Sequence, residues 1–369
     1  MVPHLGGGGA ERVLACVAAG VDREQFEVHL AVVADDEPGA AKLPEWVTVH
    51  RLQTRRVRWA AARAVLLVWH LRPELVVPGM MHLNALMLTL KPLLPSGTRI
   101  APRVNTTVSR VFTRRTERWV YAWLMRRADA MICQSEAMAE EMSTNLGVAR
   151  EKTLVVENPV DVESIRAVAN AARHTRQRER DAVHLLYVGR LAHEKGVDIL
   201  LKAWTHLAAR DTRIRLTIVG DGAERNRLEA LCVQQGLSET VEFAGFQQNV
   251  AHWLGWADVL VQPSRREGLP NALLEAAAAG LALVTTPSSE GVVRLLQDRP
   301  GVWVAHESDS ASLAVAVEAA TRAVRERRNL EDERYEHLFL EPFAMRTALR
   351  RWENCLTEAL RISILERTW

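Results

Sequence analysis

The sequence predicts an α/β chain built from two doubly wound parallel sheets, one after the other. Three observations carry that reading. The chain has 369 residues, about twice the ~150 of a typical domain. Short β-branched runs alternate with helix-length segments, which calls for βαβ crossovers and parallel pairing. The alternation comes in two series, parted by a polar stretch without strand character. With 48% hydrophobic and 25% charged residues, the composition excludes disordered, collagen-like and disulfide-framework classes.

Residues 1–5 leave room for only a short first strand ahead of Gly6-Gly7-Gly8-Gly9, where about five or six residues are usual. Further strands of the first series are expected at 28–33, 47–52, 75–77, 131–133 and 153–156. The series stops at Asn158-Pro159-Val160-Asp161, since proline disfavours the helical region in the residue before it. A charged, strand-free stretch at 166–181 follows, and the hinge is expected there. The second series supplies strands at 185–188, 215–219, 241–243, 259–262 and 282–285. Beyond 304 the pattern is helical, ending in a long amphipathic helix at 343–364 with Phe343, Trp352 and Leu360 on its apolar side. The expected domains are therefore 1–160 and 161–342.

The net charge is only +2, but it is unevenly spread. Residues 51–127 hold 15 Lys or Arg against Glu74 and Glu117, a net +13, and the rest of the chain is net −11. The overall balance gives no case for nucleic acid as partner, and no nucleic-acid motif is present. Cys16, Cys133, Cys232 and Cys355 lie far apart with no CxxC pair and no secretory leader ahead of them, which reads as reduced thiols in the cytoplasm. Apolar runs such as 64–69 and 83–90 fall short of the ~18 residues that span a bilayer.

Three clusters could carry chemistry. Gly6 to Gly9 precede a helix opening, Ala10-Glu11-Arg12-Val13, where bare backbone and helix N–H groups suit a phosphate or sugar hydroxyl; a plain strand-to-helix turn is the alternative, and the spacing is not GxGxxG. Tyr187-Val188-Gly189-Arg190-Leu191-Ala192-His193-Glu194-Lys195-Gly196 puts two cations on the loop after a strand, where ligands of open α/β sheets sit. They are either solvated surface charges or a pair that neutralises a diphosphate. Pro263 to Glu275 again follows a strand and opens an alanine-rich helix, with carboxylates at Glu267 and Glu275 suited to sugar diols.

Glu267 and Glu275 stand eight apart within PSRREGLPNALLEAAAAG, with VGRLAHEKG upstream and GGGGAER, ADAMICQSE, ENPVD, VGDG and VEFAGF in order along nearly the whole chain. The sequence resembles the retaining glycosyltransferases of family 4, of the type acting in bacterial polysaccharide and lipid-linked glycan synthesis. The resemblance implies the GT-B fold: two Rossmann-like domains facing a cleft, with the C-terminal helix at 343–369 crossing back to an acceptor-binding N-terminal domain. It implies that Arg190 and Lys195 hold the donor diphosphate, that Glu275 accepts from the ribose, and that Glu267 holds the donor sugar together with the backbone of Gly268, Leu269, Pro270 and Asn271. Gly189 and Leu274 fall in the same donor loops, Phe246 beside the base, and Gly8 and Gly9 against the phosphates or acceptor. The expected donor is a UDP-sugar, with GDP the alternative. No cofactor and no metal are expected, because cations meet the diphosphate charge. The sequence departs from the family near residue 100: Ile100-Ala101-Pro102-Arg103-Val104-Asn105 lacks the histidine many members have, and Arg103 or Asn105 is the candidate replacement.

Within the basic segment, Arg55, Arg56, Arg58, Trp59, Arg63 and Trp69 form one cluster; Arg114, Arg115, Arg118, Trp119, Tyr121, Trp123, Arg126 and Arg127 form another. Arginine interleaved with tryptophan suits an anionic membrane surface, where each cation contributes ~1 kcal/mol; helices with core tryptophans and solvated arginines are the other reading. The membrane reading, with the resemblance, implies a polyprenyl-diphosphate-linked or other glycan acceptor and a peripheral position on the inner face of the cell membrane. The competing function class is a catalytically silent GT-B subunit serving membrane or partner assembly; a phosphorylase or epimerase has no motif in its favour.

Overall fold

The computed structural model describes residues 1–5, 9–34, 43–54, 59–105, 114–173, 182–329 and 334–365. The chain forms two compact units, Met1–Pro159 with Met345–Trp369, and Val160–Ala344. Among the described residues no helix is long and apolar enough to cross a membrane.

The first unit runs α1 (Gly9–Gly20), β1 (His29–Val32), β2 (Thr48–Arg51), α2 (Ala60–Leu71), β3 (Leu75–Val76), α3 (Met81–Leu90), β4 (Arg99–Ile100), β5 (Arg103–Val104), α4 (Arg115–Met125), β6 (Met131–Cys133), α5 (Glu136–Leu146) and β7 (Thr153–Val155). Every pairing is parallel. The expected first strand is reduced to Val2, which bridges Val32, while Met1 bonds to Val77 and Gly79 on its other side. These two residues join the β1–β2 ladder to the segment just after β3. Strands β4 and β5 were not anticipated. They are one extended segment broken at Ala101-Pro102, where proline lacks the N–H a ladder needs; Ala101 and Arg103 still donate to Val76 and Pro78, and Ile132 to Pro102.

The second unit runs α6 (Val162–Arg173), β8 (Val183–Val188), α7 (Val197–Arg210), β9 (Ile214–Val219), α8 (Arg225–Gln234), β10 (Val241–Gly245), α9 (Val250–Trp256), β11 (Val259–Gln262), α10 (Asn271–Ala278), β12 (Ala282–Thr285), α11 (Glu290–Leu296), β13 (Val302–Val304) and α12 (Ser310–Asn329). Its six strands form one parallel sheet in the order β10-β9-β8-β11-β12-β13. In β8 the period-2 alternation sends Val183, Leu185 and Tyr187 into one core and Leu186 into the other, so both faces of the sheet are covered by helices. The charged stretch from 166 is not a linker as far as Arg173. It is the latter part of α6, docked by buried Ala169 and Ala172, with Trp256 Nε1 donating to the Ala172 carbonyl at 3.0 Å.

The last helix, α13 (Met345–Leu365), belongs to the first unit. Trp352 is fully buried there and donates to the Glu157 carbonyl at 2.9 Å, and Arg351 pairs with the Glu157 carboxylate at 2.7 Å. Phe343, expected on this helix, precedes it and packs in a core of the second unit.

Candidate active site

The strand order of the second unit, numbered from its own first strand, is 3-2-1-4-5-6. It reverses between β8 and β11, and in open α/β sheets the crevice at that switch, outside the carboxyl ends of the strands, is where ligands bind. Strand β8 ends at Val188 and hands over to Gly189 and Arg190; β11 ends at Gln262 and hands over to Pro263 and the loop to α10. The sequence brings its cations and its carboxylates to these two adjacent loops.

Lys195 and Glu267 meet directly, Nζ donating to Oε1, with both side chains largely buried. Ser264 supports the same carboxylate oxygen at 3.3 Å and is itself held by the Gln262 amide at 3.0 Å. Ser264 and Gln262 are almost wholly buried, so a chain of hydrogen bonds rises from the core to Glu267. Arg190 is exposed and donates Nη2 to Glu194 Oε1 at 2.7 Å. Its backbone is fixed from beneath by the Tyr187 hydroxyl, which donates to the Arg190 carbonyl at 3.0 Å.

In the second loop, Gly268 is buried and its carbonyl accepts from Ser289 Oγ at 3.0 Å. Leu269 is half-buried and Asn271 opens α10, a helix with no side-chain cap on its first N–H groups. Pro270, the residue just before α10, has no N–H to give and contributes only shape. Glu275, half-buried, stands one turn into α10. Leu274 does not line this site: its side chain is fully buried in the core beneath α10, as an apolar residue on the inward face of a helix is bound to be. Phe246 is half-exposed just after β10.

The first-unit residues divide differently. Gly8 lies outside the described residues, and Gly9 opens α1. Arg103 is not a ligand contact. It has no exposed surface, gives Nη2 to Asn158 at 2.7 Å and lies 5.9 Å above the Trp352 ring. Burial pushes its guanidinium down to about 10, a shift opposed by the charge of Glu11. Asn105 is turned to Gly79 and Met80 of its own unit.

The Trp/Arg segment is split between surface and core. Trp59, Leu66 and Trp69 are exposed, Trp59 by 67%, and Trp119, Val120 and Trp123 are exposed on α4, Trp119 by 65%. Tyr121 is a core residue instead, because it falls on the opposite face of α4. Arg127 stacks 4.7 Å over Trp123. Arg55, Arg56 and Arg58 lie outside the described residues. Trp119 and Trp123 are one helical turn apart and so lie on the same face of α4.

Residues 7–164 match the Glycosyltransferase Family 4 domain, and residues 182–322 the Glycosyl transferases group 1 domain. The chain belongs to the family 4 glycosyltransferases. Among its relatives is the lipopolysaccharide core biosynthesis glycosyltransferase LpsE of Rhizobium meliloti, 33% identical over 193 residues, 52% of this chain and 54% of that protein. The N-acetylgalactosamine-N,N'-diacetylbacillosaminyl-diphospho-undecaprenol 4-alpha-N-acetylgalactosaminyltransferase of Campylobacter jejuni is 25% identical over 312 residues, 80% of this chain and 81% of that one. Against the first of its curated relatives the chain spans about half their length. The solved structure of Anabaena HepE in complex with UDP and glucose has a TM-score of 0.78 at 17% identity, covering 96% of this chain and 98% of that one. The fold is GT-B.

Proposed function

We propose that the protein is a retaining glycosyltransferase that moves a sugar from a UDP-sugar, with GDP the alternative, to a lipid-linked glycan acceptor at the inner face of the cell membrane. One observation carries the donor half of this reading: Arg190, Lys195 and Glu267 stand on the two loops that flank the switch point, and Glu275 lies one turn into the helix that follows. Arg190 and Lys195 meet the charge of the diphosphate, strengthened where water is excluded, and stabilise it as it leaves. Glu267 accepts from the sugar hydroxyls and Glu275 from the ribose. The acceptor hydroxyl attacks the anomeric carbon from the face the diphosphate leaves; the new C–O bond forms as the old one breaks, and the hydroxyl proton passes to the departing phosphate oxygen. That route keeps the anomeric configuration and needs neither a metal nor a cofactor. The UDP in the HepE complex and the diphospho-undecaprenol in the name of the Campylobacter enzyme support the two substrates.

The exposed Trp and Arg side chains of α2 and α4 support the membrane position, since indoles settle at headgroup level and arginines attract anionic lipid. A second reading, a silent subunit, is favoured by one observation: buried Arg103 cannot replace the histidine missing near residue 100. The deciding experiment is a thermal-shift panel of nucleoside diphosphates and their sugars in chelator. A ligand at 100 times its Kd adds about 2.7 kcal/mol. A shift with one base supports the transferase and names its nucleotide; no shift with any supports the silent subunit.

A further inference from the structure

The two loops of the candidate donor site are fastened to each other by a second pair of charged side chains, Arg265 and Asp198. Arg265, two residues before Glu267, sets Nη1 at 2.7 Å from Asp198 Oδ1 and Nη2 at 2.7 Å from Asp198 Oδ2. Asp198 lies in the first turn of α7, three residues after Lys195. The same Nη1 reaches the His193 carbonyl at 2.9 Å, and the Arg265 backbone N–H donates to the Glu194 carbonyl at 2.9 Å. Asp198 is mostly buried and Arg265 about a quarter exposed. Burial pushes the Asp198 carboxyl up, but the hydrogen bonds and charge of Arg265 more than reverse this and leave it below the usual carboxylate range.

We infer that Arg265 and Asp198 are positioning residues that fix the distance between Lys195 and Glu267, and so set how the diphosphate and the sugar of one donor are gripped together. The inference rests on the donor-site reading above. A planar fork on a carboxylate fixes angle and plane as well as distance, which an ammonium cannot reproduce. Both terminal nitrogens of Arg265 are given to the 193–198 segment, so its effect on a ligand passes through the loop it holds. Glu275 lies on α10, beyond the clasp, and the ribose contact does not depend on it.

The test is calorimetric titration with UDP, GDP, their glucose conjugates and the two free nucleosides, on the native chain, Arg265→Lys, Asp198→Asn, Lys195→Ala and the Arg265→Lys/Lys195→Ala double variant. Arg265→Lys and Lys195→Ala should each weaken the preferred diphosphate about tenfold, while the double variant falls short of their product by about threefold or more, because a displaced Lys195 has less to lose. Nucleoside affinity should stay within about twofold, since the ribose hydrogen bonds are untouched. Asp198→Asn, nearly isosteric, carries the test if Arg265→Lys does not fold at the assay temperature. Multiplicative losses, or nucleoside affinity falling as far as diphosphate affinity, would overturn the inference and leave the donor site standing. A native chain that binds none of the ligands would overturn the donor-site reading, and the inference with it.

Discussion

Gly196 is the position at which the site architecture can be tested by a single methyl group. It precedes α7 with φ +68°, and a Cβ added there would sit 2.0 Å from the Pro263 carbonyl oxygen and 3.0 Å from its carbon. Two costs follow for Gly196→Ala. The left-handed conformation costs about 1–2 kcal/mol for a residue with a Cβ, and forcing the backbone of the neighbouring loop aside adds about 1–3 kcal/mol. Gly236 separates the two terms, because it has φ +69° but no atom within 4 Å of its added Cβ. Gly236→Ala carries the first cost alone. At about 2–4 °C per kcal/mol for a unit of this size, Gly196→Ala should melt roughly 4–20 °C below the native protein and roughly 2–12 °C below Gly236→Ala. Scanning calorimetry measures both, and titration with the preferred diphosphate should show weakened binding for Gly196→Ala only. Equal melting temperatures and equal affinities for the two variants would refute the close approach of the loops.

Three further outcomes are expected. Glu275→Ala should weaken free nucleoside diphosphate about tenfold or more, the worth of hydrogen bonds to a charged group; unchanged affinity in calorimetry would remove Glu275 from the ribose. Reversing Arg114, Arg115 and Arg118 to Glu should lower partition onto phosphatidylglycerol vesicles by at least roughly a hundredfold, at about 1 kcal/mol per cation lost, and keep nucleotide affinity. Equal sedimentation with vesicles would reject that surface. His337 is buried and bonded to the Leu281 carbonyl at 2.7 Å; burial lowers its pKa, partly opposed by that bond. The unfolded chain therefore takes up this proton first, and the associated stability is whole above about pH 6.5 and drains as pH falls below it. Between pH 7 and 5 the native protein should lose more stability than His337→Gln; parallel losses would exclude His337 as the cause.

The second unit was legible because most of its strands are four to six residues rich in apolar and β-branched side chains and run into glycine or proline turns, as at Val188-Gly189 and Gln262-Pro263. Strand β13, Val302-Trp303-Val304, escaped because three residues carry too little pattern. In the first unit, Arg99–Ile100 and Arg103–Val104 escaped because a proline parts them and each begins with an arginine. Arg103 was a candidate for the place of the missing histidine, whereas its Nη2 goes to Asn158 and its guanidinium lies over the Trp352 ring, partners that only the fold brings near. Lys195 and Glu267 were legible through motif spacing. Asp198 and Arg265 were not, for each looks like an ordinary surface charge until a pairing 67 residues apart is seen. Tyr121 was grouped with its arginine and tryptophan neighbours in sequence, but a helix sorts neighbours onto opposite faces.

Because α13 completes the first unit while the whole of the second unit lies between the two pieces, the order of synthesis differs from the order of folding. Residues Val160–Ala344 form a continuous unit and can fold as soon as they leave the ribosome, since domains fold as units during translation. The earlier residues must wait for the helix that carries Trp352 to cover Ile132, Leu154 and Val156 in their shared core. The unit that begins first is thus completed only after the second unit has been made, and in the interval the apolar face that α13 covers stays open.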